Sequence, residues 1–172
     1  VMMFSSRSIC SREVMLSAPR LRGIVNPTIG LETVDLEAAN ELGVIVGHGA
    51  TPENFLGMAE ATVMLMLMLM YNPKATQEVL RGVRSRPKPT PQDAWGRMMM
   101  GRTVGLIGLG RIARGVVERL SGFGASFLAC DPFVKQEAVP AGVRMVDLDT
   151  VLRSSDVVAV LVVVVAVVVL CK

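Results

Sequence analysis

The stretch Thr103-Val104-Gly105-Leu106-Ile107-Gly108-Leu109-Gly110-Arg111-Ile112-Ala113 decides how this chain is read. A short apolar run breaks at Gly108, and Arg114-Gly115-Val116-Val117-Glu118-Arg119-Leu120 follows with helical spacing, which predicts strand, tight turn and helix. Gly108 would make the turn. Gly110 would let a ligand approach the backbone with no Cβ in the way, and Ala113 is small enough for the helix to pack on the strand. A pyrophosphate would rest on that helix N-terminus, where amides without intrahelical partners and the helix dipole favour an anion.

The next apolar run, Ser126-Phe127-Leu128-Ala129-Cys130, ends in Asp131. An acid about 20 residues past the glycines would accept a hydrogen bond from a ribose 2′-OH and repel a 2′-phosphate, which selects NAD over NADP. The plainer reading makes Asp131 a turn former before Pro132 and the glycines loop residues. Strand, turn, helix, strand and acid all in register favour the dinucleotide site. Further on, Val143-Arg144-Met145-Val146 predicts a third strand, Asp147-Leu148-Asp149-Thr150-Val151-Leu152 a short helix, and Val157-Val158-Ala159-Val160-Leu161 a buried strand. Residues 162–169 are almost pure valine, with no turn, polar face or cap. They read either as a genuine buried strand or as an artificial end of the reading frame, and they are an aggregation hazard if exposed.

Upstream, Glu13-Val14-Met15-Leu16 predicts a short helix, Leu21-Arg22-Gly23-Ile24-Val25 a strand, and Asn26-Pro27-Thr28-Ile29-Gly30 a loop. Asp35 to Leu42 has an acidic first turn and apolar helical spacing, Gly43 stops it, and Val44-Ile45-Val46 is a strand. Strand, helix, strand implies a parallel βαβ unit. Pro52 to Asn54 opens the longest helix, which runs to about Met70. Its alternating Met and Leu body is apolar all round and predicts burial on every side, in a core or against another subunit. Residues 72–100, with Pro73, Pro87, Pro89, Pro91, several arginines and Trp95, read as a linker or surface excursion.

The composition sets limits. With 51% hydrophobic and 19% charged residues, much of the chain must be buried. The net charge of +3 is mild; six positive charges at positions 81–102 face one acid, Asp93, with no nucleic-acid reading motif, so they read as a solvated basic loop and no nucleic-acid partner is expected. Cys10, Cys130 and Cys171 lack metal-ligand or disulfide spacing, which points to reduced thiols, a cytoplasmic location and no metal. His48 is the sole histidine and reads as a loop residue. The longest apolar run, residues 157–170, is 14 long, short of the ~18 of a membrane span, so no membrane partner is expected and a valine-tail anchor is the weakest reading. A start at Val1, without a signal-peptide pattern, suggests a piece of a longer protein.

These residues resemble the D-isomer-specific 2-hydroxyacid dehydrogenases. The likeness rests on Gly101 through Ala113, Cys130-Asp131-Pro132 and Ser155-Asp156-Val157-Val158, with Ile29-Gly30-Leu31-Glu32-Thr33-Val34-Asp35-Leu36-Glu37-Ala38-Ala39 and Asn54 upstream. It implies an α/β protein: a doubly wound parallel sheet, the Rossmann NAD-binding domain, with part of a flavodoxin-like substrate domain. The expected division is a partial substrate domain at 1–58, an interdomain helix and linker at 59–100, and a partial NAD-binding domain at 101–172. By the same resemblance Gly108, Gly110, Arg111 and Ile112 cradle the pyrophosphate and Asp131 takes the ribose. The amides of Ile29 and Gly30 hold a substrate carboxylate, with Asn54 nearby. The implied function is hydride transfer between NAD and a 2-hydroxy or 2-keto acid, by a homodimer when full length. No catalytic residue is assigned: the family's arginine, glutamate and histidine are expected beyond this chain, and Leu161 and Val163 stand where the family usually has histidine and proline. The alternative is a non-catalytic, NAD-binding module like the family's corepressors.

Overall fold

The computed structural model describes residues 1–4, 7–86, 96–162 and 167–170. Pro87, Pro89, Pro91, Asp93, Trp95, Val163 and Cys171 therefore lie outside the described residues. The chain divides into two units, Val1–Phe55 and Leu56–Lys172.

In the first unit three parallel strands, β1 (Met2–Met3), β2 (Gly23–Asn26) and β3 (Ile45–His48), pair in the order β1-β2-β3. Helix α1 (Arg12–Leu16) precedes β2, and α2 (Leu36–Glu41) connects β2 to β3. Asp35 starts α2 because its carboxylate accepts the Ala38 amide at 2.9 Å, an N-cap that satisfies one of the orphan donors of the first turn. Ile24, Val34, Ala38, Ala39 and Val44 form the core with Cys10, Met15 and Leu21.

The second unit is built on a five-stranded sheet of order β6-β5-β4-β7-β8. Strands β4 (Thr103–Ile107), β5 (Ser126–Cys130), β6 (Val143–Met145) and β7 (Val157–Val160) are parallel, and β8 (Val167–Leu170) runs antiparallel beside β7. The alternation of β-strand side chains sends β4 to both faces. Val104 and Leu106 join Phe127, Ala129, Val157 and Ala159 against α3 (Pro52–Tyr71) and α5 (Arg111–Leu120). On the other face Leu128 and Val158 pack with Val151 of α6 (Leu148–Ser154). There Gly105 is needed for space, since a Cβ would sit 2.8 Å from Val151 and 2.4 Å from Ser155 Oγ. Helices on both faces of a parallel sheet are the expected doubly wound arrangement.

The structure refines three local readings. Residues 73–80 are not linker but helix α4 (Pro73–Leu80): Asn72 takes the left-handed conformation, φ 45°, its side chain accepts the Ala75 amide, and Pro73 occupies a first-turn position where its missing N–H costs nothing. Helix α3 is not enclosed on all sides within this chain. Ala59, Thr62, Met66 and Met70 are buried, while Leu56, Met64, Leu65, Met68 and Leu69 are between 40% and 53% exposed. Among the described residues it is the helix long and apolar enough to cross a membrane by length and composition. At the valine-rich end, residues 167–170 form a strand antiparallel to β7, with Val160 opposite Val167.

Candidate dinucleotide site

Strand β4 ends at Ile107 in the middle of the sheet, and the bend that follows opens α5. Gly108 has φ 92°, a region closed to side chains, and a Cβ there would lie 2.8 Å from the Leu161 carbonyl oxygen. The neighbour is fixed, because Leu161 donates its own amide to Ile107 at 2.7 Å. Gly110 is the N-cap of α5 with ordinary φ, and a Cβ there would meet nothing within 4 Å. It faces open space, and no side chain caps α5. The Ile112 amide in the first turn thus begins without a capping side chain. Arg111 is exposed at the head of the helix. Behind it Ala113 is fully buried in the core between helix and sheet.

Asp131, one residue past β5, meets this bend. Its Oδ2 accepts the Leu109 amide at 2.8 Å and its Oδ1 accepts the Phe133 amide at 2.9 Å. The Leu109 hydrogen bond above all, then those from Phe133 and Val134 and the nearby Arg114 guanidinium, hold the carboxyl below the usual aspartate range. Arg114 is itself positioned by donating Nε to the Leu109 carbonyl at 3.2 Å. An ionised carboxylate beside this bend accepts hydroxyls and repels a further phosphate. At the opposite end of β4, Asp156 ties β4 to β7. It accepts from Thr103 N at 2.9 Å and from Arg102 at 3.0 Å, which gives the quoted Ser155-Asp156 block a structural role.

In the first unit the loop after β2 is shaped by Asn26, a residue sequence reasoning passed over as loop. Fully buried, it donates Nδ2 to the Gly30 carbonyl at 2.7 Å and accepts both the amide and the hydroxyl of Thr28 on Oδ1, at 3.2 and 2.8 Å. Among the described residues the amides of Ile29 and Gly30 donate to nothing. Asn54, exposed at the start of α3, donates its side chain to the Gly49 carbonyl. Gly49 is packed so closely against Pro27 that no Cβ fits. The structure thus gathers Ile29, Gly30, Gly49 and Asn54 around one loop pair. His48 ends β3 opposite Asn26 and is exposed, a loop-edge residue rather than part of a catalytic cluster. Among the described residues no group of three His, Cys, Asp or Glu is placed to hold a metal ion.

Residues 63–166 match the family model of the D-isomer specific 2-hydroxyacid dehydrogenase NAD binding domain. The chain belongs to that family. Its NAD-binding domain is 36% identical over 157 residues, together with the first unit, to the D-3-phosphoglycerate dehydrogenase of Archaeoglobus fulgidus, an alignment covering 90% of this chain and 29% of that protein. Among solved structures it is similar to the NAD-dependent formate dehydrogenase of Staphylococcus aureus in complex with NAD, with a TM-score of 0.77, 26% identity, and 93% and 47% of the two chains covered. It is also similar to the D-lactate dehydrogenase of Aquifex aeolicus complexed with NAD and lactic acid, with a TM-score of 0.77, 26% identity, and 94% and 47% covered. The chain therefore spans under a third of that curated relative and about half of those solved chains. The cofactor of this domain is NAD, and the residues present fit it: an open cradle at Gly110, uncapped helix amides and an ionised acid one hydrogen bond away. The relatives named are dehydrogenases, which gives the corepressor-like alternative no support.

Proposed function

We propose that this chain is the NAD-holding part of an NAD-dependent 2-hydroxyacid dehydrogenase, in which Gly108, Gly110, Arg111 and Ile112 cradle the pyrophosphate and Asp131 the adenosine ribose. The observation that carries the reading is the hydrogen bond from the Leu109 amide to Asp131 Oδ2, which holds the acid against the glycine bend. Bound there, the cofactor supplies a hydride donor or acceptor for a 2-hydroxy or 2-keto acid. The chain's own contribution is binding and orientation. Helix amides meet the anion, Gly110 leaves room for it, and the Asp131 charge disfavours a 2′-phosphate. The amides of Ile29 and Gly30 offer donors suited to a substrate carboxylate, and Asn54 marks the edge of that loop. The groups that move a proton to or from the substrate oxygen are assigned to the whole protein, not to His48.

The same reading makes the whole protein a cytoplasmic homodimer that binds neither nucleic acid nor membrane. Its supports are Cys10 and Cys130, both free thiols, and a groove of about 570 Å³ on α3, lined by Val63, Met64, Leu67, Met68 and Phe123, that a second copy would cover. Titration of NAD into the chain and into Asp131→Ala tests the site. Loss of the carboxylate's hydrogen bonds should weaken NAD by about 1–3 kcal/mol and narrow its preference over NADP. Unchanged affinity and selectivity in that variant would sink the assignment. Turnover is to be assayed in the full-length protein with 2-hydroxy acids and NAD.

A further inference from the structure

We infer that Arg114 is a positioning residue for the cofactor: by drawing the Leu109 carbonyl to its guanidinium it sets the peptide between Leu109 and Gly110, and so aims the Gly110 amide at the phosphate cradle before NAD arrives. The inference rests on the dinucleotide reading above. Arg114 stands one turn into α5, half-buried, and reaches back five residues to donate Nε to the Leu109 carbonyl at 3.2 Å. Its own backbone amide donates to the Gly110 carbonyl at 3.1 Å. One residue thus donates to two successive carbonyls at the mouth of the helix.

The bend needs such a hold. Leu109 lies between Gly108 and Gly110, two residues with little intrinsic preference for one backbone conformation, and no side chain caps α5. Leu109 supplies what they lack. Its side chain is fully buried, its amide donates to Asp131 Oδ2 at 2.8 Å, and its carbonyl accepts from Arg114. An anion and a cation therefore fix the peptides on either side of one residue. Asp131 holds the peptide from Gly108 to Leu109, and Arg114 holds the peptide from Leu109 to Gly110.

The direction of the second peptide decides what a ligand meets. The bond is trans, so its carbonyl and amide point opposite ways, and a carbonyl held toward Arg114 turns the Gly110 amide away from it. Among the described residues that amide donates to nothing, and Gly110 is exposed with open space where a Cβ would be. Released from Arg114, the peptide can rotate about the glycine torsions and lose that aim. The fraction of chains ready for a phosphate then falls, and the apparent Kd rises in proportion. Asp131 is held below its usual pKa first by the Leu109 amide and, among the lesser causes, by the Arg114 guanidinium, so the two holds support each other.

The test titrates NAD into the full chain, Arg114→Met, Arg114→Lys and Asp131→Ala, and follows the Gly110 amide resonance of each without ligand. Arg114→Met should shift that resonance and weaken NAD about tenfold, the change expected if about one chain in ten keeps the aimed peptide. Arg114→Lys, which keeps a charged donor, should recover most of both. A purely structural role would lower the denaturation midpoint of Arg114→Met while leaving the resonance and the affinity of the folded chain unchanged. That result overturns the inference, as does a Lys variant no better than Met. Asp131→Ala separates this claim from the reading beneath it. If it weakens NAD while Arg114→Met binds like the parent, only the role of Arg114 falls; if neither changes the affinity, the dinucleotide site falls and this inference with it. The unmodified chain guards against variants that fail to fold. Its Arg114 Nε–H should exchange slowly with water before NAD is added, and exchange as fast as that of the exposed Arg144 overturns the inference as well.

Discussion

Two loops in this chain are built by opposite means. The bend after β4 is made by what is missing. Gly108 sits at φ 92° against the Leu161 carbonyl, and Gly110 leaves open space before α5. The loop after β2 is made by a side chain: Asn26, wholly buried, gathers Gly30 and Thr28 into one network, and among the described residues the Ile29 and Gly30 amides donate to nothing. A loop shaped by glycine has its geometry in the letters of the sequence. A loop shaped by a buried amide has it only in the fold, because asparagine at a strand end reads as a turn residue until its burial is known.

The contrast can be broken most severely at Gly108. In Gly108→Val a branched side chain must enter a left-handed conformation and meet a backbone oxygen at 2.8 Å, so the second unit should lose about 3 kcal/mol or more, read as a fall in denaturation midpoint. A midpoint unchanged from the parent would show that the bend is not held as described. Asn26→Leu comes next. Similar in volume, it strips partners from the Gly30 carbonyl and from the Thr28 amide and hydroxyl and should cost about 2 kcal/mol. The loss should appear as fast amide exchange confined to residues 26–30 and their strand neighbours, with NAD affinity untouched. A drop in NAD affinity would tie the two loops together in a way their separate construction does not require.

Much of the second unit was legible for the same reason its bend was: strand periodicity, glycine spacing and an acid at the right distance are short-range signals. Spacing brings Asp131 into the reading of the bend, and the hydrogen bond from Leu109 makes acid and bend neighbours. What stayed hidden depended on surroundings. Helix α4 reads as linker or surface excursion in the sequence because Pro73 follows Asn72, a pair that marks a turn as readily as a capped first turn. The uniform apolarity of α3 predicted enclosure, yet only the faces bearing Ala59, Thr62, Met66 and Met70 are covered in this chain, since a sequence with no polar side cannot show which side is free. The valine run likewise carries no register, so nothing in it announced the reversal between β7 and β8. Ile29 and Gly30 were named from the resemblance, while Asn26, which positions them, had no motif to flag it.

Gly110→Ala separates folding from binding at the bend. With φ −76° and nothing within 4 Å of the added methyl, the fold should change by less than about 1 kcal/mol. NAD affinity should nevertheless fall about tenfold, because the methyl occupies the space through which the phosphates approach the amides. Retained affinity would move the phosphates away from α5 while leaving the fold assignment intact.

The smallest expected effect is a change of slope with pH. The carboxyl of Asp131 is held below its ordinary value chiefly by the Leu109 amide, so the ionised form stabilises the folded chain at every pH above the unfolded value of about 4, and that stabilisation fades as pH falls through the folded value. Asp147, Glu13 and Glu53 are shifted the same way by their own hydrogen bonds, so the acid limb of the parent's stability curve sums several groups. The difference between the parent and Asp131→Asn isolates one of them. Below about pH 4 the variant's stability should fall less steeply than the parent's, and above it the two curves should run parallel with the parent higher. Curves parallel throughout the acid range would mean that the carboxylate is no more stabilised in the folded chain than in water, and the hydrogen bond joining it to the glycine bend would have to be given up.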